Sequence, residues 1–244
     1  MKAHFISRDQ ELMTAAINYR KYLFGLVKPY IKGDVLEIGA GIGNMTEMVY
    51  NQCSGMIDSI TCVEAEQECV DILKENFCTS KENVEILQGY FPKTCPEKKF
   101  DLIYHYNVLE HIEDDAAALK ACYKSLKPQG VMFAYVPAFQ VLYGSMDKQL
   151  KHYRRYSKKS IIEALNSAGF EVKRIKYCNL IGFFGWFYNN RILKIKEQKS
   201  NQIFIFDKLI LPIQALLEKI IGTPLGQNIC VVASRPETKN SIKN

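Results

Sequence analysis

Apolar and polar positions change period repeatedly along the chain, and the changes predict an alternation of helices and strands. Leu12, Ala16, Tyr19, Leu23 and Leu26 recur at helical spacing, Ser7 with Gln10 resembles a capping box, and this helix should end before Pro29. Asp34–Ile38 is a short apolar strand holding one acid, Gly39–Gly43 a turn, and Asn44 opens a helix. Ser59–Val63, Val84–Leu87 and Phe100–Tyr106 read as the next strands, with a helix over Gln67–Asn76 after the second. Asp114–Leu126 is helical, Lys127–Gly130 a turn and Val131–Val136 a fifth strand. Ser157 suits an N-cap for a helix over Lys158–Ala168 that Gly169 ends. Phe170–Tyr177 and Asn228–Ser234 are the last strands. Strands alternating with helices imply an α/β, Rossmann-like doubly wound sheet, mostly parallel, with helices on both faces.

Between the last two strands, residues 179–227 exceed what a minimal fold needs. This helical insertion carries LIGFFGWFYNN and a stretch with Phe206, Ile210, Ile213, Leu217 and Ile221 on one face, with a kink or break expected at Pro212. A length of 244 residues fits one domain, 1–244, with residues 1–33 as an N-terminal helical cap. Apolar residues at 48% and charged residues at 24% are ordinary for a folded soluble protein. A net charge of +6 favours anionic partners mildly and does not by itself indicate nucleic acid. The eight cysteines form no C-x-x-C pair, and no Cys/His cluster has zinc spacing, so free thiols, no metal and a reducing, cytoplasmic location are expected. No run of about 18 apolar residues is present to span a bilayer.

The strongest chemical signal is Val35-Leu36-Glu37-Ile38-Gly39-Ala40-Gly41-Ile42-Gly43-Asn44. A strand runs through a glycine bend into a helix, so backbone amides can approach an anionic or polar ligand. A dinucleotide fingerprint needs G-x-G-x-x-G, and position 44, where its third glycine would fall, is Asn44; the spacing here is G-x-G-x-G. Glu37 places a carboxylate where a purely structural residue would be apolar, and the ammonium of a bound amino acid is a candidate partner. Glu64 ends the second strand, where a carboxylate accepts ribose hydroxyls.

The run VLEIGAGIGNMTE, then CVEAE, then FDLIYHYNVLEHIEDD resembles the class I methyltransferases that use S-adenosylmethionine. The resemblance spans about residues 15 to 178, and ICVVASRP near the end fits it too. It implies a seven-stranded sheet with an antiparallel last strand, S-adenosylmethionine as cofactor and S-adenosylhomocysteine as product. By the same resemblance Glu37, Gly39, Gly41 and Gly43 hold the methionine part, Glu64 the ribose, and Ala65 and Glu66 flank the adenine. Gly89, Tyr90 and Phe91 follow the third strand, with Tyr90 where the family often has an Asp. Asn107 and Leu109 lie beneath the sulfonium, and Tyr19 is a candidate cover for the amino-acid end.

Methyl transfer from a sulfonium is an in-line displacement, so positioning matters most and a base is needed only for an acceptor that holds its proton. His111, in the E-H pair after the fourth strand, and His152 are the candidate bases. Residues 148–157 resemble an H-x-R-x-Y-S/T lid run of a bacterial subset, which puts Tyr153 and Arg155 against the acceptor. His105, inside an apolar strand, reads as a core residue, and the Tyr123/Lys127 pair as a helix end. Trp186 and its aromatic neighbours fit three roles: a wall for a hydrophobic or lipid-linked small-molecule acceptor, a packing or homodimer layer, or a peripheral membrane contact. O-methylation of a small molecule is the favoured reading. An RNA or protein methyltransferase and a nicotinamide-dependent oxidoreductase are the alternatives; the only support for nucleic acid is the basic run Lys151–Lys159.

Overall fold

In a computed structural model, which describes residues 13–77, 83–194 and 200–237, the apolar strands pair into one sheet. Its strands are β1 (Gly33–Ile38), β2 (Ile57–Glu64), β3 (Val84–Gln88), β4 (Phe100–Tyr106), β5 (Leu126–Pro137), β6 (Glu171–Cys178) and β7 (Asn228–Ser234). The order is β3-β2-β1-β4-β5-β7-β6, parallel up to β5, with β7 antiparallel to both its neighbours. Continuous apolar runs are what a sheet covered on both faces requires. Successive residues of β1 serve opposite layers: Leu36 packs with Leu119, Ile161 and Val231, and Val35 with Val27, Val49 and Phe133. Each such side chain, wholly buried, contributes about 1.5–3 kcal/mol.

The helices covering these faces are α1 (Ile17–Val27), α2 (Asn44–Cys53), α3 (Gln67–Phe77), α4 (Asp115–Ser125) and α6 (Lys158–Ser167), with a short α5 (Ser145–Gln149) before α6. The α1 helix stops at Val27, ahead of Pro29, which enters a following 3-10 turn. The Ser7/Gln10 capping box lies outside the described residues. Ser157 Oγ accepts Ser160 N–H at the start of α6, and Gly169 takes φ +100° beyond its end. The turn expected at Lys127–Gly130 lies inside β5 instead. Leu126 already pairs with Phe100, and the ladder resumes at Val131 opposite Leu102, so the four turn residues bulge out of one strand.

The insertion turns polar side chains inward and apolar ones outward. It contains α7 (Leu180–Phe187), α8 (Ser200–Ile205) and α9 (Leu211–Ile221), with π-turns at Tyr188–Ile192 and Phe206–Ile210. Pro212 sits in the first turn of α9, where its missing N–H costs nothing. The inward stripe is Ile203, Asp207, Leu211 and Gln214, whereas Ile213 and Leu217, of the apolar face seen in the sequence, are exposed. The reason is capping. Asp207 Oδ1 accepts Tyr19 N–H (2.8 Å), Gln214 Oε1 accepts Ile181 N–H (3.0 Å), and Glu218 Oε1 accepts Asn179 N–H (2.9 Å). Polar side chains satisfy the open amides of α1 and α7, which turns the apolar face outward. Among the described residues, no helix is long and apolar enough to cross a membrane.

Candidate functional site

The strand order reverses between β1 and β4, and in open α/β sheets ligands bind at the carboxyl ends of the strands flanking that point. The glycine bend lies there. Gly39, Gly41 and Gly43 have φ of +71°, +57° and +90°. A Cβ on Gly43 would stand 2.6 Å from Phe77 Cε2, and one on Gly39 2.4 Å from Val108 Cγ2, so both positions exclude larger residues. Gly39 N–H donates to Val63 O (2.8 Å), which ties the bend to β2.

Glu64, at the end of β2, organises this bend. Its Oε2 accepts Gly41 N–H (2.8 Å), and its Oε1 accepts Ala65 N–H (2.8 Å) and Glu66 N–H (2.9 Å). A carboxylate offers about four lone-pair sites, so room for one further donor such as a ribose hydroxyl remains. Glu37 is buried, and its Oε2 accepts Thr46 Oγ1–H (2.6 Å) and Tyr104 O–H (2.7 Å). The partner sought for Glu37 in a ligand ammonium is thus found first within the protein. Burial pushes the Glu37 carboxyl up to about 7, against those two hydrogen bonds and helped by the Glu64 charge. Thr46 and Tyr104 had no sequence signal beyond lying on an apolar helix face and strand.

The other cofactor candidates surround the same edge. Ala65 is half-buried, Gly89 has φ +151°, Phe91 is buried, and Tyr90 is 65% exposed beside them. Asn107, at φ +50°, is exposed and accepts from Asn228 Nδ2 (3.2 Å). Leu109, the other residue expected beneath the sulfonium, is buried in the core, in a 3-10 turn at Leu109–His111. Tyr19 O–H lies 3.4 Å from Tyr135 O–H, and burial pushes its pKa up to about 12.

On the acceptor side, two distant segments meet. Tyr153 N–H donates to Glu110 O (2.8 Å), and the His111 and His152 rings stack edge-on with centroids 4.5 Å apart. That packing strips water from the His111 ring and, with the neighbouring imidazole second, lowers its pKa, although its outer edge stays exposed. His105, as expected, is a buried core residue, and burial lowers its pKa to about 4.

Asp147, which sequence reasoning missed, is wholly buried and fixes the acceptor-side segment. Its Oδ1 meets His152 Nδ1 (2.9 Å) and accepts Arg155 Nε–H (2.7 Å), and its Oδ2 accepts Gly144 N–H and Asn190 Nδ2–H, both at 3.0 Å. Burial opposes this charge, but His152 and Arg155 outweigh it and hold Asp147 at about 2. Arg155, expected against the acceptor, is engaged internally: it also donates to Ala138 O (3.1 Å) and lies over the Trp186 ring at 4.9 Å. Trp186 therefore packs on Arg155, while Tyr153 is 53% exposed.

A family model described as a methyltransferase domain matches residues 11–175. A protein of Mycolicibacterium smegmatis named a probable S-adenosylmethionine-dependent methyltransferase is 25% identical over 57% of this chain and 52% of its own length. A ubiquinone biosynthesis O-methyltransferase of Bartonella tribocorum is 28% identical over 43% of this chain and 41% of its own. The chain thus spans about half the length of the curated relatives it matches. Among solved structures, the methyltransferase bound to the Haloferax volcanii Trm112 activator matches with a TM-score of 0.66 at 14% identity, over 97% of this chain and 98% of that one. Phosphoethanolamine N-methyltransferase 2 of Haemonchus contortus, in complex with S-adenosyl-L-methionine, gives 0.59 at 18%, over 88% of this chain and 52% of that one. At these identities the structures speak for the fold.

Proposed function

Because this chain belongs to the class I S-adenosylmethionine-dependent methyltransferases, we propose that it transfers a methyl group to an oxygen of a small, hydrophobic acceptor. The observation that carries this reading is the glycine bend at the switch point, with Glu37 and Glu64 beside it. Those residues fit the cofactor. Gly39, Gly41 and Gly43 give close backbone approach for the methionine part, Glu64 keeps an acceptor site for the ribose, and Ala65, Gly89, Tyr90 and Phe91 border the adenine side. When bound, S-adenosylmethionine supplies a methyl group on a sulfonium, ready for in-line displacement.

The chain's own part is to position the acceptor oxygen, exclude water and accommodate the acceptor's proton. His111 and His152 stand together at the carboxyl end of the sheet, where that proton must be lost. The relatives named ubiquinone biosynthesis O-methyltransferases support oxygen as the methylated atom and a lipid-like acceptor. The outward apolar face of α8, α9 and the π-turn between them, with Phe204, Leu209, Ile213 and Ile220 exposed, supports a hydrophobic acceptor as well.

The test is an extract screen with labelled methyl donor, followed by mass spectrometry of the product. An O-methylated, organic-extractable product supports the reading; label confined to RNA or protein overturns it.

A further inference from the structure

Glu110 sits unpartnered at the heart of the acceptor side. Both carboxylate oxygens are buried with no hydrogen-bond partner, and the residue is 0% exposed. A buried carboxylate without a partner is costly, and an ion is one of the few things that resolves it. The nearby Arg155 is committed to Asp147 and Ala138 O. What faces Glu110 instead is a pair of imidazoles: one ligand atom each from Glu110, His111 and His152 lies within 4.8 Å of the others.

We propose that Glu110, His111 and His152 form a binding site for a divalent cation of the imidazole-preferring kind, such as Zn2+. Two imidazoles and one carboxylate are a ligand set used for zinc and for non-haem iron, whereas Mg2+ favours oxygen ligands. The surrounding geometry matches a built site. The Asp147 carboxylate holds His152 at Nδ1 (2.9 Å) and so leaves Nε2 as its ligand atom, which is the outer-shell arrangement that orients metal-binding histidines. Asp147 is itself fixed by Arg155, Asn190 and Gly144. The Tyr153 N–H to Glu110 O bond clamps the two segments together. Three protein ligands leave coordination positions open on the side where His111 is exposed. The sequence spacing that led to an expectation of no metal could not show this cluster, because its members come from separate segments.

The site's use rests on the proposed methyl transfer. A cation there lowers the pKa of an acceptor hydroxyl held beside it, so its proton can leave to water and the oxygen can attack the methyl carbon as the carbon–sulfur bond breaks. The imidazoles then act as ligands and not as bases.

The test needs no cofactor. The full chain, stripped with chelator, is titrated with Co2+ and Zn2+ by calorimetry, and the Co2+ spectrum is recorded. The expected result is one site, a d–d spectrum without a thiolate charge-transfer band, and displacement of Co2+ by Zn2+ but not by Mg2+. His111→Ala, at an exposed position, should keep its circular dichroism and lose binding at least 100-fold. Asp147→Asn should weaken binding about 10- to 100-fold, and Cys53→Ser should leave it unchanged. A thiolate band, or His111→Ala and Glu110→Gln that bind as the wild type does, would overturn the proposal. So would a total lack of binding. S-adenosylhomocysteine affinity, measured separately on the metal-free chain, tests the cofactor reading alone.

Discussion

The two halves of the candidate site are built on opposite principles. The cofactor half is backbone: a glycine bend tied to β2 by Val63 O and by Glu64, which accepts Gly41 N–H, all within the first strand–helix–strand unit. The acceptor half is side chains: Glu110 and His111 from the end of β4, and Asp147, His152 and Arg155 from the segment after β5, joined by buried charge. At the bend both acids are satisfied, Glu64 by nearby and cross-strand amides and Glu37 by Thr46 and the distant Tyr104. In the acceptor half, Asp147 takes its partners mostly from its own segment, with Asn190 from farther along the chain, and Glu110 is left over. The contrast teaches that the cofactor half tolerates change outside its glycines and acids, whereas the acceptor half is organised around the Asp147 carboxylate.

The largest effect should therefore come from Asp147→Ala. It strands the Arg155 charge and frees His152, and should cost about 4 kcal/mol of stability in denaturant unfolding. A loss below about 1 kcal/mol would show that the acceptor half is not organised by that carboxylate. Gly43→Ala should cost about 3 kcal/mol, since it combines a left-handed backbone with a clash against Phe77, and should abolish cofactor binding. Unchanged thermal melting would remove the steric argument for the bend.

Glu37 distinguishes the halves by pH. Its carboxyl is raised from 4.5 to about 7, so between those values the folded chain keeps a proton that the unfolded chain has lost. The Glu37 contribution to stability is then fully present below pH 4.5 and is lost as pH rises from there through 7, by up to about 3 kcal/mol. Glu37→Gln should remove that slope, and a wild-type slope of the opposite sign that Glu37→Gln abolishes would contradict the assignment. The smallest effect belongs to the insertion. Leu209→Ser, at a 64% exposed position, should change stability by no more than about 0.5 kcal/mol, yet raise KM for a hydrophobic acceptor. An unchanged KM would detach that face from acceptor binding.

What could be read in the sequence follows the same division. Strand runs, the glycine spacing, Glu64 and the Ser157 cap are local patterns, and each strand is found within about two residues of its expected bounds apart from the bulged start of β5. Asp147 carried no signal, because an acid in a long loop reads as solvated until the fold buries it against Arg155. Arg155 reads as free to face the acceptor for the same reason, its Asp147 partner being invisible in the sequence. Which face of the insertion turns inward is not legible, because periodicity counts apolar residues, while here Asp207, Gln214 and Glu218 cap neighbouring helices.

Everything on the cofactor half converges on Glu64, so calorimetric titration of S-adenosylhomocysteine into the wild type and Glu64→Ala is the most direct test. The account predicts one site in the wild type, an affinity at least tenfold weaker in the folded variant, and no comparable binding of NADH to either. Equal affinity in both proteins, or tight NADH binding with none of the thioether, would contradict it.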